Sequence, residues 1–142
     1  MDRPGVAMKI CLAGTGAMGE VHVKALEKIG VEVVSIAART EESGKAFAEK
    51  WKIPFSSSNL EACIDRPGVD AVILTTPSDQ HHDQTVMALG KGKHVQVEIP
   101  MALTLKDSQR MVDAAKSAGK VCMVTHTRRF SRIELPMNSR RM

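Results

Sequence analysis

Short apolar runs alternate with amphipathic stretches along most of this 142-residue chain. The runs are continuous and rich in valine and isoleucine, which is typical of strands buried on both faces of a parallel sheet. The pattern predicts strands at residues 8–13, 31–38, 53–55, 69–75, 94–98 and 120–124, separated by helices near residues 20–29, 41–50, 58–65, 79–89 and 104–118. This alternation predicts an α/β fold, the Rossmann doubly wound parallel sheet, with strand order 3-2-1-4-5-6.

Individual residues mark the ends and the inward faces of these helices. Gly30 and Gly119 are predicted to end the first and the last helix, and Thr104 to cap the last one. Ser58 and Glu61 have the spacing of a capping box at the start of the third helix. The side chains predicted to face the sheet are Val21, Ala25, Leu26 and Ile29 in the first helix, and Leu105, Met111, Val112 and Ala115 in the last.

The first strand runs directly into Gly14-Thr15-Gly16-Ala17-Met18-Gly19. In this G-x-G-x-x-G spacing, the first glycine allows a tight turn, the second lets a pyrophosphate approach the backbone, and the third lets the helix pack against the strand. The free N–H groups at the start of the following helix favour bound phosphate. With a strand before it and a helix after it, the motif predicts a dinucleotide site. The alternative is an ordinary strand–turn–helix without a ligand.

Arg39 bears on the choice of dinucleotide. An acidic residue about twenty positions after the glycines usually binds the ribose 2′-hydroxyl of NAD, whereas this chain has Arg39, followed by Thr40. A guanidinium group suits a 2′-phosphate, so the sequence favours NADP. In the alternative interpretation, Arg39 is a solvated residue paired with Glu41 or Glu42. Because these two glutamates could bind a ribose hydroxyl, NAD remains an alternative cofactor.

Three further segments are predicted to reach the same edge of the sheet, beyond the carboxyl ends of the strands. They are residues 75–82, 98–100 and 125–129. Thr75, Thr76 and Pro77 are suited to line a nicotinamide ribose. His81 and His82 are neighbours in a helix, so their side chains diverge. Without an apparent third ligand they predict no metal site, and either one faces the cleft or both are solvated.

Composition narrows the class of protein. The net charge of +4 is concentrated in residues 128–142, which include five arginines. Aromatic residues make up only 3% of the chain, too few for a nucleic-acid stacking surface, and no apolar run approaches the ~20 residues that span a membrane. The N-terminus lacks the apolar core of a secretory signal. Three scattered cysteines predict reduced, buried thiols in the cytoplasm.

Five segments in order, residues 13–19, 76–81, 92–100, 101–105 and 128–130, resemble the Gfo/Idh/MocA oxidoreductases. They read AGTGAMG, TPSDQH, GKHVQVEIP, MALTL and RRF, and the resemblance extends from residue 6 to about residue 131. It implies a domain that binds NAD or NADP, with Glu98, Ile99 and Pro100 beside the cofactor. It also implies a cis peptide before Pro100.

Ile99 departs from the family pattern, which commonly has a lysine between Glu98 and Pro100. The family's lysine is held to sit near the nicotinamide and the substrate, and isoleucine can neither donate a hydrogen bond nor carry a proton. The Glu-Ile-Pro sequence and residues 126–130 together resemble one branch, the NADP-dependent 4-carboxy-2-hydroxymuconate semialdehyde dehydrogenases. Candidate residues in that branch are Arg128 or Arg129 for substrate carboxylates and His126 or His81 as proton acceptor. Alternatively, His126 is a buried, hydrogen-bonded residue at a strand end.

The resemblance implies that residues 6–127 form an NAD(P)-binding Rossmann domain. Residues 128–142 would then be a basic tail or the start of a second domain. Family members continue into a C-terminal α/β domain, which we expect to be absent from this chain. Its absence would expose an apolar surface, which predicts a homo-oligomer. The expected activity is hydride transfer between NADP and an aldehyde, hemiacetal or hydroxy substrate, a small molecule. The alternative is a non-catalytic dinucleotide-binding module or remnant that acts as a sensor or an interaction partner.

Overall fold

The structure, a computed structural model, describes residues 7–130. Most of the predicted basic tail, residues 131–142, and residue 6 lie outside the described residues. None of the helices between residues 7 and 130 has the length and apolar character needed to cross a membrane.

Six parallel strands form one sheet in the order β3-β2-β1-β4-β5-β6, which confirms the predicted topology. The strands are β1 (Lys9–Ala13), β2 (Glu32–Ala37), β3 (Ser56–Ser57), β4 (Ala71–Leu74), β5 (His94–Glu98) and β6 (Cys122–Thr125). The helices are α1 (Ala17–Lys28), α2 (Glu41–Trp51), α3 (Leu60–Ile64), α4 (His81–Gly90) and α5 (Leu105–Ala118). Short 3₁₀ turns at Ser78–Gln80 and Thr127–Arg129 precede α4 and follow β6.

Alternate residues of the central strands supply two separate cores, one on each face of the sheet. In β1, Ile10 and Leu12 pack with Val23 of α1 and Phe47 of α2. On the opposite face, Cys11 and Ala13 pack in a second core with residues of α3, α4 and α5, namely Cys63, Ile64, Ala88, Leu89 and Met111. Burial on both faces is the reason that the strand sequences are apolar throughout.

The predicted inward face of α1 was wrong for Val21, Ala25 and Ile29, whereas Leu26 is half-buried and packs against the core as predicted. Val21 is 46% exposed and Ile29 is 71% exposed, whereas His22 and Val23 are buried. The buried face includes Gly19, so its helical spacing is as regular as the predicted one. His22 lies at the centre of this face, however, and a prediction based on apolar residues alone does not include a histidine. In α5, Met111 is buried as predicted, but Leu105 is 86% exposed and Val112 is 37% exposed.

The third strand and the cap of the third helix also differ from the sequence prediction. The strand lies at Ser56–Ser57 rather than at residues 53–55, although Ile53 is buried and the Phe55 carbonyl accepts a hydrogen bond from Ile36 N (3.0 Å). Asn59, not Ser58, caps α3, because its Oδ1 accepts from Ala62 N (3.2 Å). The hydrogen bonds of Ser58 go instead to another helix.

The predicted ends of the last helix and the predicted burial of two of the three cysteines are confirmed. Thr104 Oγ1 accepts from Asp107 N (3.0 Å) at the start of α5, and Gly119 ends that helix with φ +62°. Cys11, Cys63 and Cys122 are free thiols; the first two are buried and the third is half-buried. Burial raises the pKa of Cys11 to about 12 and that of Cys63 to about 11, since a thiolate is poorly solvated there.

Replacing Gly19 by alanine tests the close packing of α1 on the glycine turn. The added Cβ would overlap the backbone oxygen of Gly14, which cannot move away as the end of a side chain could. We expect the free energy of unfolding to fall by about 2 kcal/mol in urea denaturation. The control is Gly90→Ala, because that position in α4 has open space and should tolerate a methyl group. Equal stability of the two variants would contradict the packing argument.

Candidate cofactor site

The turn after β1 is held by backbone contacts to both neighbouring strands. Gly14 N donates to the carbonyl oxygen of Ala37 (2.9 Å), and Thr75 N donates to that of Ala13 (2.8 Å). Gly14 has φ +107°, and a Cβ there would overlap the Thr75 hydroxyl. Both the backbone conformation and the available space therefore require glycine at this position.

The start of α1 is open to a ligand. Its N-cap is Gly16, so no side chain caps the first N–H groups, and a Cβ at Gly16 would meet nothing within 4 Å. The first N–H groups of a helix have no partner within it, and they attract anions together with the helix dipole. The turn therefore has the free donors and the room that a pyrophosphate needs.

A cleft of about 810 Å³ lies above this turn. Eight of the predicted cofactor residues line it: Gly14, Thr15, Gly16, Arg39, Thr40, Thr75, Thr76 and Pro77. The other predicted cofactor residues, Ala17, Met18, Gly19, His81, Glu98, Ile99 and Pro100, are not in its lining. The cleft is also lined by residues that the sequence analysis did not name as cofactor residues: Ala13, Ala37, Ala38, Ser43, Ser58, Leu60, Gln80 and Gln84.

Arg39 is exposed where the chain leaves β2 for α2. Within residues 7–130, no carboxylate lies at ion-pair distance from its guanidinium group, so the pairing with Glu41 or Glu42 that the sequence left open is not formed. Thr40 caps α2 by accepting from Ser43 N (3.1 Å). A positive side chain and the start of a helix thus meet at this end of the cleft.

His81 is buried beneath the rim of the cleft, with 1% of its surface exposed. Its Nδ1 lies 2.8 Å from the carbonyl oxygen of Pro100, and its Nε2 lies 2.8 Å from that of Thr76. A carbonyl oxygen only accepts, so the ring donates to at least one of them, and to both when both nitrogens carry hydrogen. With both nitrogens facing the backbone, the geometry gives His81 a positioning role rather than access to a substrate proton.

Glu98 ends β5 and is only 8% exposed. His22 Nε2 donates to its Oε1 over 2.6 Å, in a buried contact between α1 and β5. The peptide between Ile99 and Pro100 is cis, as the family resemblance implied. Residues 98–100 are therefore held on one side by His22 and on the other by His81, while the Ile99 side chain is 47% exposed.

The last candidate residues follow β6. In the sheet register, Thr125 pairs with Glu98, so the segment after Thr125 leaves the sheet at the same edge as residues 99 and 100. His126 is exposed, which corrects the alternative interpretation of a buried histidine. Arg128 and Arg129 lie in the adjoining 3₁₀ turn and are also exposed.

His82 points away from His81. Its Nδ1 donates to Asp83 Oδ1 (2.8 Å), and its Nε2 lies 3.9 Å from Asp107 Oδ1. In the described part of the chain, no three His, Cys, Asp or Glu side chains are grouped so that they could hold a metal ion.

Comparison with known proteins identifies the family. A family model described as the oxidoreductase family GFO_IDH_MocA, NAD-binding Rossmann fold, matches residues 8–126. The chain belongs to this family. The residues that line the cleft are therefore part of an NAD-binding fold, and the topology and the glycine turn have a common explanation.

Three similar proteins illustrate the range of relatives and solved structures. The chain is 45% identical to 4-carboxy-2-hydroxymuconate-6-semialdehyde dehydrogenase of Sphingobium sp. (strain NBRC 103272 / SYK-6) over 87% of its length and 40% of the relative's. It superposes on WlbA dehydrogenase from Bordetella pertussis, solved with NADH and UDP-GlcNAcA, with a TM-score of 0.78 and 30% identity, covering 83% of this chain and 34% of that one. It superposes on the biliverdin reductase from Synechocystis sp. PCC 6803, solved with biliverdin and NADP+, with a TM-score of 0.79 and 25% identity. This match covers 85% of this chain and 38% of that one. The chain thus spans 34–40% of the length of these relatives.

Replacing His22 by alanine tests the buried pair, which sequence reasoning missed. The Glu98 carboxylate would stay buried without its partner, so we expect the free energy of unfolding to fall by about 3 kcal/mol. Urea denaturation measures this, with Val21→Ala, an exposed position on the same helix, as the control that should change by less than about 0.5 kcal/mol. If both variants unfold alike, the pair does not stabilise the fold.

Proposed function

We propose that the chain is the cofactor-binding domain of an NADP-dependent dehydrogenase. The observation that carries this proposal is the cleft above the glycine turn, at whose far end Arg39 is exposed and makes no ion pair within residues 7–130. The free N–H groups at the start of α1 would bind the pyrophosphate. The planar guanidinium of Arg39 would bind the 2′-phosphate with charge-assisted hydrogen bonds, which the ribose hydroxyl of NAD cannot match.

The remaining cleft residues would orient the reactive end of the cofactor. When bound, NADP supplies the chemistry of hydride transfer. Thr75, Thr76 and Pro77 line the cleft where the chain leaves β4, and they suit the ribose of the nicotinamide. Thr75 Oγ1 already donates to the carbonyl oxygen of Ala13 (2.8 Å), whereas Thr76 Oγ1 donates to Gln84 Oε1, another cleft residue. Residues 98–100, at the end of β5, would approach the nicotinamide from the neighbouring strand.

For the substrate we propose a small aldehyde, hemiacetal or hydroxy compound that carries carboxylate groups. The support is the relative from Sphingobium, whose name specifies a carboxylated semialdehyde. Arg128 and Arg129 would bind the carboxylates, and the exposed His126 would accept the proton. His81 is the weaker candidate for that step, because both of its nitrogens face backbone carbonyl oxygens.

The Arg39→Ala variant tests the cofactor assignment. Loss of the guanidinium removes charge-assisted hydrogen bonds that only the 2′-phosphate receives, so the Kd for NADPH should rise about tenfold. The Kd for NADH should change by less than about twofold. Calorimetric titration of the 142-residue chain with each nucleotide measures both values.

The matched control is Arg110→Ala, which removes an exposed arginine from α5, outside the cleft. It should leave both affinities unchanged. Tighter binding of NADH than of NADPH by the unsubstituted chain would overturn the role of Arg39, and failure to bind either would overturn the cofactor site. Turnover of NADP with a carboxylated aldehyde would separate a dehydrogenase from a non-catalytic binding module.

A further inference from the structure

Ser58 holds the carboxylate of Glu41 with two hydrogen bonds. Its backbone N–H and its hydroxyl both donate to Glu41 Oε1, each over 2.6 Å. Both bonds stabilise the ionised carboxylate, so the pKa of Glu41 lies below its ordinary value. Glu41 is the first residue of α2 and Ser58 follows β3, so the contact joins two elements that are separate in the chain.

This contact lies beside the proposed 2′-phosphate site. β2 and β3 are neighbours in the sheet, with Ala37 opposite Ser57, and Ala38 N donates to the carbonyl oxygen of Ser57 (3.0 Å). Arg39 and Ser58 consequently leave the sheet together at one edge, and both line the cleft. Glu41 follows Arg39 by two positions, but it is not among the residues that line the cleft.

The hydroxyl groups of Thr40 and Ser43, at the start of α2, are engaged with each other. Thr40 Oγ1 donates to Ser43 Oγ (2.9 Å), and Ser43 Oγ donates to the carbonyl oxygen of Thr40 (3.1 Å). Ser43 N also donates to Thr40 Oγ1 (3.1 Å). Ser58 is therefore the residue that supplies the hydrogen bonds of Glu41. The cations nearest to Glu41 in the chain are Arg39 and, one turn along α2, Lys45, which also favours its ionised form.

We infer that Ser58 is a specificity-determining residue for the cofactor, because it keeps the Glu41 carboxylate away from Arg39 and from the 2′-phosphate. Without these two hydrogen bonds, the Glu41 carboxylate would pair with Arg39 and repel a phosphate, and it would accept hydrogen bonds from a ribose hydroxyl. Ser58 thus acts on cofactor choice through Glu41. The inference rests on the NADP preference proposed above.

The test is calorimetric titration of the full 142-residue chain and its variants with NADPH and with NADH. Ser58→Ala removes one of the two donors and should raise the Kd for NADPH about threefold, without a matching rise for NADH. Ser58→Thr keeps a hydroxyl and should retain the original ratio. Ser56→Ala, two residues earlier in β3 and outside the lining of the cleft, is the control that should change neither Kd.

The double variant Ser58→Ala/Glu41→Gln separates an effect through Glu41 from direct contact between Ser58 and the cofactor. Removing the charge should restore NADPH affinity if Glu41 is the competing group. The inference is overturned if Ser58→Ala alters both affinities equally or neither, or if the double variant stays as weak as Ser58→Ala. An unsubstituted chain that does not prefer NADPH overturns the NADP proposal itself, and this inference with it.

Discussion

The contact between the glycine turn and the end of β4 sets the geometry of the cleft. Gly14 lies so close to Thr75 that no side chain fits between them, and Gly19 brings α1 against Gly14 in the same way. Without these close approaches, α1 could not begin directly above β1 with its N–H groups toward the cleft. The same placement brings His22, one turn further along α1, to Glu98 at the end of β5. One steric constraint therefore governs both the proposed phosphate site and the support of residues 98–100.

One acidic residue in the first turn of α1 and one in the first turn of α2 are bound by a neighbouring element. Glu20, in the first turn of α1, pairs with Lys50 of α2 through a contact of 2.5 Å. Glu41, in the first turn of α2, is bound by Ser58. Negative charge favours a helix start, but it would repel an anionic ligand bound there. A partner from a neighbouring element leaves the carboxylate near the helix start, where it stabilises the helix, and offsets part of its charge. The anion binding proposed here would therefore depend on contacts between residues that are distant in sequence.

The sequence was sufficient for the parts of the structure that depend on local pattern. Continuous apolar strands, glycine spacing and helix caps such as Thr104 predicted the six-stranded topology and eight residues of the cleft. Prediction from the sequence failed where a distant partner determines the position of a polar side chain. His22 is polar and buried because of Glu98, 76 residues away, so the apolar pattern placed the inward face of α1 on Val21 instead. Ser58 has the spacing of a cap, but the pairing of β2 with β3 directs it to Glu41. Neither partner can be found by counting along the chain.

The support of residues 98–100 explains how position 99 can change its chemistry without losing the loop. Glu98 is held by His22 through its side chain, and Pro100 is held by His81 through its carbonyl oxygen. Neither contact involves the side chain of Ile99, which is exposed at 47%. Replacing a lysine by isoleucine there removes a proton carrier and a donor, but leaves both anchoring contacts in place. The path of the backbone and the side chain at position 99 are thus set by different residues, so the proton acceptor proposed after β6, His126, is compatible with an unchanged loop.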